Sequence, residues 1–404
     1  DNLCASQNPL KSVHSRPFFL TLERKNHMNF LSKWILGFGL CIAVSLFALE
    51  PPKGCDYDIQ CVHELKGLTC GDGSPSYFTI IPRRGSENLL IFMFGGGACW
   101  DAMTCSVGMA LNLSTPDLTQ DWNHGEGIFN HEDPANPLKD YTIVTIPYCT
   151  GDVHVGDSKI DYGKPFTNYE VNHNGYNNAL TILKEAAQFF PEAKKVVLMG
   201  TSAGAIGAYT HMRNFNALFP HAQKYVISDA GTPFQTPFVS EVMYTRLLKN
   251  WNAYKGFPVD ENSRPAENFG AVLDFNRRKF PHIKFGLIHS YSDYVMTGFA
   301  TGLGAPDYST VIRDTIIHAA NQQIGVNTPH QKVFFTESWG HTFTQYPLGR
   351  TTSLNVSLAD WISGMINGGP WENVRPDLEG EVTPWMPFNQ PPGVPKPRAP
   401  FSLY

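Results

Sequence analysis

No long basic run, no internal repeat and no Cys-x-x-C pair occur in this chain. The first absence, with 31 Lys+Arg against 36 Asp+Glu and a net charge of −5, argues against a nucleic-acid partner. The second excludes solenoids and propellers. The third, with no matching downstream histidine spacing, argues against a zinc site, and no metal or cofactor is expected. The chain also lacks an apolar run of membrane-spanning length: Trp34 to Leu49 is almost wholly apolar but shorter than the roughly 20 residues a span requires.

That run follows Met28 and the weakly basic Asn29-Phe30-Leu31-Ser32-Lys33, with small Ser45 and Ala48 toward its end. Residues 28–49 therefore read as a signal peptide, with an uncleaved anchor as the alternative. Residues 1–27 show no apolar periodicity and read as a leader outside the folded part. The expected mature chain begins near Glu50 and is secreted, or periplasmic in a bacterial source, with no stable membrane insertion after cleavage.

About 350 residues remain, enough for one large domain with a substantial core. It is placed at 50–383, and the proline-rich 384–404 reads as a tail. Six of the eight cysteines lie in the first third of that mature part: Cys55, Cys61, Cys70, Cys99, Cys105 and Cys149. An even count behind a signal peptide suggests disulfides. Many pairings are open. Local closure of Cys55 with Cys61 and of Cys99 with Cys105 would leave Cys70 with Cys149. Asn112-Leu113-Ser114 and Asn355-Val356-Ser357 are glycosylation sequons in a eukaryotic context.

The most informative stretch is Gly200-Thr201-Ser202-Ala203-Gly204. Before it, Lys195-Val196-Val197-Leu198-Met199 reads as a buried strand; after it, residues 205–212 read as a helix start. Strand, G-x-S-x-G, helix is the context of a nucleophile elbow, although a glycine-rich chain also produces such matches by chance. Further strands are expected at 77–81, 89–94, 141–146, 225–228, 283–289 and 332–336. Helices are expected at 176–190, from Ser309 (a possible N-cap) to Gln322, and at 353–365. Residues 112–140 read as a surface excursion, and 232–282 as an insertion over the active site. The alternation predicts an α/β fold: a mostly parallel sheet with helices on both faces, one domain with loop and helical insertions.

In such sheets ligands bind at the carboxyl ends of the strands. Ser202, Asp293 and His341 each follow a strand, in the order expected of a Ser-Asp-His triad on an α/β-hydrolase sheet. His341 would be the base and Asp293 the acid that orients it. His289, His318 and His154 compete for the first role and Asp229 for the second; His289 reads as a core residue and Asp229 as a ligand of turn amides. Gly95-Gly96-Gly97-Ala98 follows a central strand, so the backbone amides of Gly96, Gly97 and Ala98, with that of Ala203, are the expected oxyanion hole. Trp100, Tyr148, Asp152 and His154 are candidate substrate contacts. Asp152, His154 and Asp157 could alternatively suggest a metal site, which turn chemistry explains more simply.

Phe94-Gly95-Gly96-Gly97-Ala98-Cys99-Trp100, Pro147-Tyr148-Cys149-Thr150-Gly151-Asp152 and the elbow together resemble the pectin acetylesterase/Notum family of serine esterases. The likeness runs from about Cys70 to Trp361. It implies a secreted, cofactor-free carboxylesterase of α/β-hydrolase type, with Ser202, Asp293 and His341 as its triad. The implied substrate is an acylated carbohydrate, foremost acetyl on polysaccharide; the chain is separately expected to be a monomer. A deacylase for longer or aromatic acyl groups (lipid, feruloyl or polyester) and a non-catalytic binding protein on the same fold are the alternatives. One departure stands out: plant members place Trp before the loop cysteine, whereas here Ala98 precedes Cys99 and Trp100 follows it.

Overall fold

A computed structural model describes residues 48–116, 126–163, 170–259, 266–325 and 328–378. The leader, nearly all of the expected signal peptide and the proline-rich tail lie outside these residues. Among the described residues no helix is long and apolar enough to cross a membrane.

The strands are β1 (Cys61–Thr69), β2 (Pro75–Ile81), β3 (Asn88–Met93), β4 (Thr142–Ile146), β5 (Ser158–Asp161), β6 (Glu170–His173), β7 (Lys195–Thr201), β8 (Gln223–Asp229), β9 (Lys284–Ser290) and β10 (Gln331–Thr336). Eight of them form one sheet in the order β1-β2-β4-β3-β7-β8-β9-β10, and β5 pairs with β6 apart from it. The sheet is parallel from β4 to β10, and β1 and β2 add an antiparallel edge. This is an α/β-hydrolase-like fold, as the strand and helix alternation predicts.

Nine α-helices accompany the strands among the described residues: α1 (Ala102–Ser106), α2 (Gly175–Phe189), α3 (Ala203–Thr210), α4 (Met212–Leu218), α5 (Glu241–Asn250), α6 (Phe269–Lys279), α7 (Tyr294–Gly302), α8 (Val311–His318) and α9 (Leu358–Asn367). Side chains alternate across the central strands, so each strand feeds two cores. Leu89, Ile91, Val196 and Leu198 face a cluster with Ile182 and Leu183 of α2 and Ile206 of α3. Leu90, Phe92, Val197 and Met199 face a second cluster with Leu358, Trp361 and Met365 of α9. Burial on both faces explains why these strands are continuous apolar runs.

Several boundaries differ from the sequence reading. The last helix begins at Leu358 rather than Ser353, because Thr352–Ser353 and Val356–Ser357 pair as a small hairpin. Leu354 and Asn355 both take positive φ in its turn, and Ser357 then caps the helix by accepting from the Asp360 amide. Helix α8 starts after Thr310, not Ser309, whose hydroxyl bonds to Asp307 instead. It ends at His318, and the chain continues as a π-helical segment, Ala319–Ile324. The excursion at 112–140 is not wholly superficial: Ile128, Phe129 and Leu138 are buried in the second core.

The strand order reverses between β3 and β7, so the loops that follow these two neighbours open a crevice at their carboxyl ends. The glycine loop follows β3 and the G-x-S-x-G turn follows β7.

Three disulfides, Cys55–Cys61, Cys70–Cys149 and Cys99–Cys105, match the pairing expected from local closure. The second joins residues 79 apart in sequence and ties the loop between β1 and β2 to the end of β4. Replacing Cys70 and Cys149 by serine should lower unfolding free energy by about 4 kcal/mol on the chain-entropy scale. Chemical denaturation measures it; an unchanged midpoint would show that the long bridge does not constrain the chain.

Candidate active site

Ser202 sits between β7 and α3 with φ 54° and ψ −120°, a conformation that a non-glycine residue adopts only when its surroundings impose it. The crowding is specific. A Cβ on Gly200 would overlap the Gly204 carbonyl, and one on Gly204 would overlap the Met93 carbonyl at the end of β3. Both glycines of the motif are therefore required by close backbone approach. The turn is further pinned by the Ser202 amide, which donates to the Asp229 carbonyl at 2.8 Å.

The glycine loop runs directly beside this turn: a Cβ on Gly95 would lie 2.7 Å from Ser202 Cβ. Among the described residues, no protein acceptor takes the amides of Gly96, Gly97 or Ala203. Ala98 is different. Its amide donates to the Met109 carbonyl at 3.0 Å, so Ala98 drops out of the expected oxyanion donors. It remains as a wall of the adjoining cavity.

Asp293 is fully buried at the N-terminus of α7, where Oδ1 accepts from the Met296 amide at 2.9 Å. Its Oδ2 accepts from Nδ1 of His341 at 2.8 Å. That bond fixes the imidazole tautomer and leaves Nε2 as the basic nitrogen. His341 lies in the loop after β10, and its side chain is 14% exposed. No hydrogen bond joins its Nε2 to Ser202 Oγ here; catalytic contacts of this kind commonly tighten only when substrate is bound.

The rival residues have other partners. His289 is buried in β9, donating from Nδ1 to the Ser290 carbonyl and accepting from the Thr232 hydroxyl at 2.8 Å. His318 stacks edge-on against Phe238. Asp229 is buried, and its Oδ2 accepts from the amides of Phe343 and Thr344 and from the Thr344 hydroxyl.

Of the four candidate substrate contacts only Trp100 lines the cavity beside Ser202. Tyr148, Asp152 and His154 do not line it, and their polar atoms bond within the protein. The Tyr148 hydroxyl donates to the Gly97 carbonyl at 2.9 Å and accepts from the Val153 amide. His154 Nε2 donates to the Phe94 carbonyl at 2.8 Å, just before the three glycines. Asp152 accepts from the Thr150 hydroxyl, the His154 amide and the Gly175 amide, the last at the N-terminus of α2, where a carboxylate is favoured. Asp157 instead pairs with Lys255, so Asp152, His154 and Asp157 do not converge as metal ligands. Cys55, Cys61 and His63 do cluster, but the two sulfurs are joined in a disulfide.

A cavity open to solvent adjoins Ser202. Its walls are Ala98, Trp100 and Val153 from the loops, Ile206 from α3, Phe234, Tyr244, Leu247, Trp251 and Phe269 from the insertion, and Met296, Phe299 and Leu303 around α7. Trp251 donates its indole N–H to the Cys99 carbonyl at 2.8 Å, and the Tyr244 hydroxyl accepts from the Phe269 amide. The wall is thus apolar. Sequence reading anticipated an insertion here but none of its lining residues, since aromatics at such spacing equally well pack a core.

A family model described as Pectinacetylesterase matches residues 52–269, just over half of the chain. The match takes in the glycine loop, the elbow and Asp229, and ends before Asp293 and His341. The chain is 27% identical over 177 residues to the palmitoleoyl-protein carboxylesterase NOTUM of Mus musculus, covering 41% of this chain and 33% of that protein. It is 30% identical over 148 residues to its Homo sapiens counterpart, covering 35% and 28%. With pectin acetylesterase 11 of Arabidopsis thaliana it shares 29% over 171 residues, covering 41% and 43%. The matched stretch thus spans between 28% and 43% of the length of these curated relatives.

Three buried histidines near the glycine loop give the fold an acid sensitivity. Burial lowers His154 to about 3, and His173 and His211 to about 4. The unfolded chain therefore takes up these protons below about pH 6.5 while the folded chain does not, and stability falls with pH from there. Asp152, raised to about 6 by burial, acts in the opposite sense, because its folded form binds a proton more tightly than the unfolded chain. Burial also lowers His289 and raises Asp229, so four lowered histidines stand against two raised carboxylates and the urea midpoint should be lower at pH 5 than at pH 7.5. A midpoint that holds or rises at pH 5 would contradict the neutral-histidine account.

Proposed function

The chain belongs to the pectinacetylesterase family, and from that premise we propose that it is a serine carboxylesterase whose nucleophile is Ser202. His341 Nε2 takes the Ser202 proton as Oγ attacks the ester carbonyl, and Asp293 stabilises the imidazolium that forms. The oxyanion lies against the amides of Gly96, Gly97 and Ala203, whose positions are preset by the loop and so need no reorganisation in the transition state. Collapse expels the alcohol, which leaves with the proton from His341. Water then attacks the acyl-enzyme by the same steps in reverse, releasing the carboxylic acid and restoring Ser202. Three disulfides support an exported protein.

The apolar cavity beside Ser202 carries the choice of substrate. The relatives' names include both removal of acetyl from pectin and removal of a palmitoleoyl group from protein. An acetyl group would bring one methyl against these walls, whereas a longer chain would bring more apolar surface against them. Each further methylene buried there contributes about 0.8 kcal/mol. The best-supported substrate is therefore an ester of an acyl chain several carbons long, rather than the acetylated polysaccharide that the sequence motifs foreground.

Hydrolysis of p-nitrophenyl esters tests this. From acetate to octanoate, kcat/KM should rise by about tenfold or more, the increment expected of a hydrophobic pocket. Ser202→Ala should abolish turnover of every ester. Acetate as the best substrate would return the reading to a deacetylase, and turnover that survives Ser202→Ala would end the serine mechanism.

A further inference from the structure

Asp229 ends β8 and touches both halves of the catalytic centre. Its carbonyl accepts from the Ser202 amide at 2.8 Å. Its side-chain Oδ2 accepts from the Phe343 amide at 2.8 Å, the Thr344 amide at 2.7 Å and the Thr344 hydroxyl at 2.7 Å. Phe343 and Thr344 lie two and three residues beyond His341. Between them and His341 stands Thr342, a β-branched residue at φ 63°. Such a conformation persists only where the surroundings over-determine it, and the three donors to Asp229 are that constraint.

The other oxygen is the informative one. Oδ1 of Asp229 is buried with no hydrogen-bond partner among the described residues. Oδ2 faces two backbone amides, which can only donate, and the Thr344 hydroxyl. Burial pushes the Asp229 carboxyl up, while the Phe343 and Thr344 donors and the nearby His341 favour its ionised form; that form leaves one buried oxygen unsatisfied, a costly arrangement that calls for an explanation. The titratable groups around the Asp293–His341 pair are His289 from β9, Tyr294 from α7 and Asp229 from β8. Among the three, Asp229 is the carboxylate, and a cation on His341 is the charge that would answer it.

We infer that Asp229 is a positioning residue: it fixes the His341 loop against the Ser202 turn, and its carboxylate stabilises the imidazolium formed during acyl transfer. It touches no reacting atom. A clamp made only of hydrogen bonds would be served as well by asparagine, whose side-chain oxygen accepts from the same loop amides. A carboxylate adds charge, which becomes useful when the imidazole gains its proton.

This inference rests on the serine esterase reading, so Ser202→Ala is assayed alongside. If Ser202→Ala keeps activity, that reading has failed; if it is inactive, Asp229→Asn addresses Asp229 alone. Asp229→Asn should lower kcat by about tenfold or more with KM within about twofold of the parent. The acid limb of kcat/KM should move to lower pH, because removing a neighbouring negative charge makes the imidazole easier to deprotonate. A kcat within about twofold of the parent, or an acid limb that does not move, overturns the inference. Should Asp229→Asn not fold, Thr344→Val removes one of the three donors. A fall in kcat of about two- to fivefold at unchanged KM supports the clamp, and an unchanged kcat refutes it.

Discussion

The crowded contact between the ends of β3 and β7 is the constraint on which the rest of the molecule depends. Gly204 packs against the Met93 carbonyl and Gly200 against Gly204, so the chain leaving β7 has no room for a relaxed turn. Ser202 is forced to positive φ, and the glycine loop leaving β3 is brought against it. Ser202 and the amides of the glycine loop thereby share one junction. The sheet's order supplies the crevice, but this contact decides which groups face it.

Behind and in front of that junction the chain uses opposite chemistry. Behind it, Tyr148, Asp152, His154 and His211 form a buried polar layer whose bonds run to backbone groups of the glycine loop and its neighbours. A network satisfied in this way rigidifies what it touches, at the cost of keeping its histidines neutral. In front, the cavity wall is aromatic and aliphatic, suited to an acyl chain and offering little to a sugar hydroxyl. The insertion between β8 and β9 supplies five residues of that wall, Phe234, Tyr244, Leu247, Trp251 and Phe269.

Much of this was legible in the sequence where a local rule applies. The apolar runs of β3, β4, β7, β9 and β10 announce strands buried on both faces, and G-x-S-x-G between strand and helix announces the elbow. Asp293 and His341 stand out because each follows its strand in the expected order, and the structure brings them within 2.8 Å. What was missed depends on distant partners. Strand β1 does alternate, from Cys61 through His63 and Leu65, yet it is short on apolar residues and became visible only through pairing with β2. Tyr148, Asp152 and His154 carry the residue types of a binding site, and nothing local reveals that they point at backbone behind the loop. Ala98 offers an amide by position in the glycine loop, but that amide donates to the Met109 carbonyl. The hairpin that shortens α9 turns on Leu354 and Asn355 at positive φ, a conformation that leucine does not advertise.

The most direct test of a Ser202 nucleophile beside an acyl cavity is covalent. The protein is treated with alkyl fluorophosphonates of increasing chain length, and the adduct is located by peptide mass spectrometry as labelling rates are followed. A single adduct is expected on the peptide carrying Ser202, formed faster as the alkyl chain lengthens. No adduct on that peptide, or a rate that falls as the chain lengthens, would contradict it.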